Sequence, residues 1–263
     1  MTRIALGIEY DGATFHGWQA QPHGNTVQDA LEHALSKIAD QPLRVTCAGR
    51  TDTGVHALAQ VVHFDSAAVR SEQAWVRGSN AQLPPQVAVR WARTVDARFN
   101  ARFDALSRSY CYVLHNHPVR PALQHGRTGW YHHPLDAGRM HEAAQALLGE
   151  HDFSAFRAAE CQAKSPVKIM HRAEVQRLGD TILFEFRASA FLQHMVRNIV
   201  GALVYIGQGR EPVESITTHL ASRDRTRGAP TFSPAGLYLA GVEYAAHWNI
   251  PAAERMIPPL PPR

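Results

Sequence analysis

The chain has 263 residues, 45% hydrophobic and 19% charged, a balance that marks a globular protein able to bury a core and suits one large domain or two smaller ones. No run approaches the ~20 apolar residues a membrane span needs, and Met1 to Tyr10 alternates like a strand instead of carrying a signal peptide's apolar block, so the expected location is the cytoplasm. The net charge is only +4, but residues 105 to 210 carry twelve basic and eight acidic groups while the flanking segments are neutral, a surplus that suits a nucleic-acid footprint.

The first predicted element is a strand from Arg3 to Tyr10, with Ile4, Leu6, Ile8 and Tyr10 on one face. After a loop, Thr26 reads as an N-cap with Asp29 in a capping-box position, and Val27, Leu31, Ala34, Leu35 and Ile38 form a helical stripe. Apolar stretches Leu43 to Ala48 and Gln60 to Asp65 then flank a loop, followed by a helix from Glu72 to about Ala81 and a strand from Val87 to Thr94. The second half repeats this βαββαβ order: strand Arg108 to Asn116, helix Ala137 to Leu148, strands His171 to Leu178 and Thr181 to Ala188 around a Gly179-Asp180 turn, helix Leu192 to Ile206, and strand Leu237 to Tyr244. A further helix is expected from Pro212 to Ala221. The fold class is therefore α+β, with two tandem ferredoxin-like units whose antiparallel sheets join around a central cleft. The expected boundaries are 1–104, 105–248 and a proline-rich tail, 249–263.

Residues 48 to 57, Ala-Gly-Arg-Thr-Asp-Thr-Gly-Val-His-Ala, concentrate more functional groups than a connection of that size requires. Gly49 and Gly54 can take backbone conformations closed to other residues, which allows Asp52 and Arg50 to approach a ligand; the plainer alternative is an Asp that makes a turn with its own backbone. Cys47, Cys111 and Cys161 are odd in number and widely spaced, so no disulfide framework or zinc knuckle is expected. Among sixteen histidines the pairs His115-Asn-His117 and His132-His133 lack a set of further ligands, and no metal site is expected. On the strand Arg108 to Asn116, Tyr110 and Tyr112 share a face, and an aromatic there either stacks a base or packs in a core. On the helix Leu192 to Ile206, Leu192, Met195, Val196, Ile199, Leu203 and Ile206 form an apolar face, opposite His194, Arg197 and Gly201. That second face reads as solvated, except that a glycine inside a helix often admits another element.

The decapeptide around Arg50-Thr51-Asp52 resembles the catalytic loop of the tRNA pseudouridine synthase A family, and Phe191 to Gly201 is similar to that family's second motif. Gly17-Trp18-Gln19, Asn80 to Pro84, Ala101-Arg102-Phe103, Asp152-Phe153-Ser154 and Gly236-Leu237-Tyr238 extend the resemblance over residues 3 to 245. It implies isomerisation of uridine to pseudouridine in the tRNA anticodon stem-loop, at positions 38 to 40, by a homodimer that needs no cofactor. By the same resemblance Asp52 is the catalytic aspartate and Arg197 lies beside it, where a guanidinium keeps a desolvated carboxylate charged. Arg50 would hold the flipped nucleoside or a phosphate, and Tyr110 would stack on the target base while Tyr112 is structural. Thr53 replaces a commoner Ala and Asn100 a frequent His, departures that touch loop detail and not the nucleophile. Two other classes remain: a non-catalytic RNA-binding or RNA chaperone protein, which has no use for Asp52 with Arg197, and a glycoside hydrolase, which needs a second carboxylate as general acid.

Overall fold

The computed structural model describes residues 1–252, so the Pro258-Pro259-Leu260-Pro261-Pro262 run of the expected tail lies outside the described residues. In chain order the elements are β1 (Thr2–Tyr10), α1 (Val27–Ala39), β2 (Thr46–Cys47), β3 (His56–Ser66), α2 (Glu72–Gln82), β4 (Val87–Val95), β5 (Ala105–Asn116), β6 (Gly129–Tyr131), α3 (Ala137–Gln145), β7 (Gly149–Asp152), β8 (Val167–Leu178), β9 (Thr181–Ala188), α4 (Met195–Gly207), α5 (Ser215–Ser222) and β10 (Leu237–Tyr244). The protein is α+β, and the described residues divide into two compact units: Met1–Leu106 with residues 238–252, and Ser107–Leu237. No helix among the described residues is long and apolar enough to cross a membrane.

In the first unit β1 lies between β3 and β4, antiparallel to both. Its expected apolar face is buried, but so are Ala5 and Gly7 on the other. Gly7 stands opposite Trp91 of β4, and a Cβ there would lie 2.0 Å from the indole Nε1. The indole therefore closes over the strand, which alternation alone could not reveal. The α1 cap forms as its sequence dictates: Thr26 accepts the Asp29 amide at 3.2 Å, and its hydroxyl donates to the Asp29 carboxylate at 2.6 Å.

One edge of β3 is shared between two partners. β10 runs parallel to its start, at His56 and Ala57, while β2 is antiparallel to it at Val62 and His63. This division explains why the apolar stretch Leu43 to Ala48 contributes a strand of only two residues. Beyond β2 the Ala48 amide still donates to Val61 O, and the Gln60 side chain then takes over the pairing of Gly49.

The second unit has β5, β9, β8 and β7 in antiparallel succession, with β6 parallel to β5. Both units therefore depart from a purely antiparallel arrangement. Parallel neighbours need a longer connection than a hairpin, and the excursion through residues 117 to 128 supplies it for β6. The β8–β9 hairpin turns at Gly179, with φ of +61°. α3 packs on β8 and on α4.

Helix α4 starts at Met195 and not at the expected Leu192, because His194 caps it in the left-handed conformation with φ of +62°. The face opposite the apolar stripe is not solvated. Gly201 is buried, and a Cβ there would stand 2.5 Å from Pro230 O. The segment around Pro230 occupies that face, as the glycine suggested, so α4 is covered on nearly all sides.

Candidate active site

The Asp52 loop is built on the first unit and clamped from behind. Trp18 N donates to Thr51 O at 3.0 Å, and the Thr51 hydroxyl is 2.8 Å from Tyr10 Oη. Gly17, with φ of +83°, lies so close that a Cβ would be 2.8 Å from Thr51 O, and one on Gly12 would be 1.9 Å from Val55 O. Two glycines from the loop after β1 thus let a second backbone press against the first, a function no side chain could share. The loop closes on itself through Val55 N, which donates to Asp52 O at 3.1 Å, and Gly54 takes the left-handed conformation with φ of +76°. Gly49 does not use that freedom; its carbonyl accepts Gln60 Nε2 at 2.6 Å.

On this base Asp52 is half-buried and Arg50 is exposed. The neighbouring Cys47 thiol is pushed up to about 12 by burial, against the opposing fields of the Arg50 and Arg102 guanidiniums. A thiol so rarely ionised is no nucleophile, and burial likewise raises Cys111. Asp52 is the carboxylate that the loop presents.

His56 and Gln60 follow the loop on β3 and hold it, and neither was singled out by the sequence reading. His56 is 1% exposed, stacks on Tyr238 at 4.6 Å and accepts the Gly12 amide on Nδ1 at 3.0 Å. The Asp11 carboxylate lies 3.2 Å from the same nitrogen, so the ring braces the start of the loop after β1 against β3. The available signal was polarity at the start of an otherwise apolar strand: His56 and Gln60 are buried polar residues that need partners.

Tyr110 and Arg197 belong to the second unit. Tyr110, on β5, is 9% exposed with its ring edge-on to Phe191 at 5.0 Å. Tyr112 is fully buried, donates to Ser233 O at 2.9 Å and packs against Phe184 and Phe232. Arg197 is half-buried on α4 and exchanges two hydrogen bonds with Phe232: its Nε donates to Phe232 O at 2.8 Å, and Phe232 N donates to Arg197 O at 3.3 Å. The segment that covers Gly201 therefore also fixes the guanidinium. Among the described residues no group of three or more His, Cys, Asp or Glu could hold a metal ion.

A family model described as tRNA pseudouridine synthase matches residues 7–104 and 143–245. The chain is 62% identical over 255 residues to tRNA pseudouridine synthase A of Methylobacillus flagellatus, covering 97% of this chain and 98% of that one. It is 60% identical over 255 residues to the protein of the same name from Aromatoleum aromaticum, covering 97% of each. With the Thiobacillus denitrificans protein of that name it shares 58% identity over 258 residues, covering 98% of this chain and 99% of that one. The chain belongs to the tRNA pseudouridine synthase family.

Proposed function

We propose that this enzyme isomerises uridine to pseudouridine at positions 38 to 40 of the tRNA anticodon stem-loop, with Asp52 as its catalytic carboxylate. Membership of the tRNA pseudouridine synthase family supports the reaction. The observation that carries the assignment of Asp52 is the loop itself, clamped by Trp18, Gly17 and Gln60 from behind and carrying a half-buried carboxylate beside an exposed guanidinium. Rigid support of this kind is what a reacting group needs.

The target nucleotide leaves its stack before reaction, at a cost of a few kcal/mol, roughly, recovered by contacts to the flipped base and the backbone. In the isomerisation the N1–C1′ bond breaks, the uracil turns, and a C5–C1′ bond forms; C5 loses a proton and N1 gains one. The atoms balance without oxidant, reductant or cofactor. Asp52 supplies the carboxylate for glycosidic cleavage, by attack at the ribose carbon, by attack at the ring carbon or by removal of a ribose proton. Arg50 holds the extruded nucleoside or an adjoining phosphate, Arg197 is the charge partner of Asp52, and Tyr110 stacks on the target uracil so that the detached base is neither lost nor replaced by water.

The same reading treats the two units as tandem ferredoxin-like folds with joined sheets around a cleft, and the enzyme as a cytoplasmic homodimer acting on tRNA. The element order of each half supports the first of these. The test is tritium release from a tRNA transcript labelled at uridine C5. Wild type should release label from the anticodon stem-loop, whereas Asp52→Asn should lose roughly 10⁴-fold or more in turnover while still binding tRNA. Tight binding without release by wild type would favour a non-catalytic RNA-binding protein.

A further inference from the structure

We propose that Phe103, presented on a rigid turn anchored to β3 at His63, is a stacking platform for an unpaired base of the RNA substrate, with Arg102 as its phosphate contact. Phe103 is 76% exposed, although the Phe99 ring four residues earlier is fully buried against His63, Tyr244 and Trp248. An exposed phenylalanine on a mobile loop would mean little, but this backbone is held tightly. Asn100 Oδ1 accepts the amides of both Arg102 and Phe103, at 3.0 and 3.1 Å. The Asn100 amide donates to the Asp104 carboxylate at 2.6 Å, and Asp104 N donates back to Asn100 O at 3.0 Å. Between them Ala101, wholly buried, donates to His63 Nδ1 at 3.1 Å, and its carbonyl accepts the Tyr244 hydroxyl at 2.6 Å.

Six hydrogen bonds therefore fix a turn whose outward product is one aromatic ring and one guanidinium. The Arg102 Cζ lies 5.4 Å from the Phe103 ring centroid, a cation–π arrangement that keeps ring and charge together. Such a pair matches a nucleotide, with a base for the ring and a phosphate for the fork. The turn is anchored on His63 of β3, which pairs with Thr46 just ahead of the Asp52 loop, and the Arg102 and Arg50 guanidiniums both oppose the rise of the Cys47 thiol there. Asn100 builds this turn with its side-chain carbonyl.

The inference rests on the RNA-modifying reading above and deepens it. Its test uses the full-length protein and the C5-labelled tRNA transcript, comparing wild type with Phe103→Ala, Phe103→Leu and Phe103→Tyr for binding, KM, kcat and oligomeric state. Phe103→Ala and Phe103→Leu should raise Kd and KM by about 10-fold, with the loss falling on KM and the melting temperature unchanged; Phe103→Tyr should restore both constants. Wild-type Kd and KM in Phe103→Ala would overturn the proposal, as would a loss confined to kcat. So would a change of oligomeric state with RNA affinity intact, which would make the ring, with the 55% exposed Leu106, a contact between copies. Absence of tritium release by wild type would instead sink the synthase reading, while the Kd comparison still decides whether Phe103 contacts RNA.

Discussion

Gln60 shows how a single buried amide determines the position of a reactive loop. It is fully buried, and its Nε2 donates to Gly49 O at 2.6 Å, where the β2–β3 pairing gives way to the loop. Gln60→Ala leaves that part-buried carbonyl without its partner, a loss of roughly 1–3 kcal/mol. We expect a lower midpoint in urea unfolding and a drop in kcat, since the loop is displaced along with its support; unchanged kcat would show that Asp52 is held by other contacts. Arg197→Ala should reduce tritium release by at least ~100-fold and also lower the melting temperature, because Phe232 O loses its donor. Near-normal turnover in that variant would remove Arg197 from the site. The Asp52 loop was legible because its short run carries more functional groups than a turn requires. His56 and Gln60 were not, because a polar residue on a strand reveals its role only when its partner is known, and Gly12 and Gly49 stand 44 and 11 residues back in the chain.

At the scale of elements, α4 sets helix propensity against packing. Replacing Gly201 by Ala favours the helix by ~1 kcal/mol. The added Cβ, however, would be 2.5 Å from a backbone carbonyl, Pro230 O, which cannot turn aside as a side chain can. Overpacking of this kind costs about 1–3 kcal/mol, so packing should prevail and Gly201→Ala should unfold at a lower urea concentration than wild type. A stabilised variant would show that the Pro230 segment yields. The apolar stripe of α4 was readable from its period, and so was the Thr26 cap of α1 from its residue types. The true start of α4 was not, because His194 in the left-handed conformation breaks no pattern that side-chain polarity displays. β6 and β7 were missed for a related reason: three- and four-residue strands exist only through pairing with β5 and β8.

For the molecule as a whole, acid stability offers a test of how the first unit is tied together. Arg3 of β1 and Asp65 of β3 form a two-pronged pair at 2.8 and 2.7 Å, and Arg3 also donates to Phe99 O beneath the Phe103 turn. Hydrogen bonding to Arg3 holds the Asp65 carboxyl below its usual range. A carboxyl lowered in the folded state contributes stability that is complete above its unfolded value of ~3.9 and is lost as pH falls through the lower folded value. Asp65→Asn should therefore lower the melting temperature at pH 7 and flatten its decline below about pH 4; parallel acid limbs for the two proteins would show that Asp65 contributes nothing. The effect should be small, because Asp65 is 44% exposed and solvent screens the pair.

The order of residues alone was enough to establish the α+β class, most helix and strand positions, the Arg50-Thr51-Asp52 run and the family to which it belongs, because these depend on local periodicity, capping chemistry and short motifs. Folding in three dimensions decided which strands share an edge of β3, that both faces of β1 are covered, that Gly17 and Gly12 lie against the loop, and that the Asn100 turn holds Phe103 out to solvent. The first three are contacts between residues distant in the chain, and the Asn100 turn, though bonded locally, is anchored by His63 and Tyr244 from far along it. Their chemistry is written in the residue types, but their partners are chosen only when the competing burial and hydrogen-bond demands of the whole unit are satisfied together.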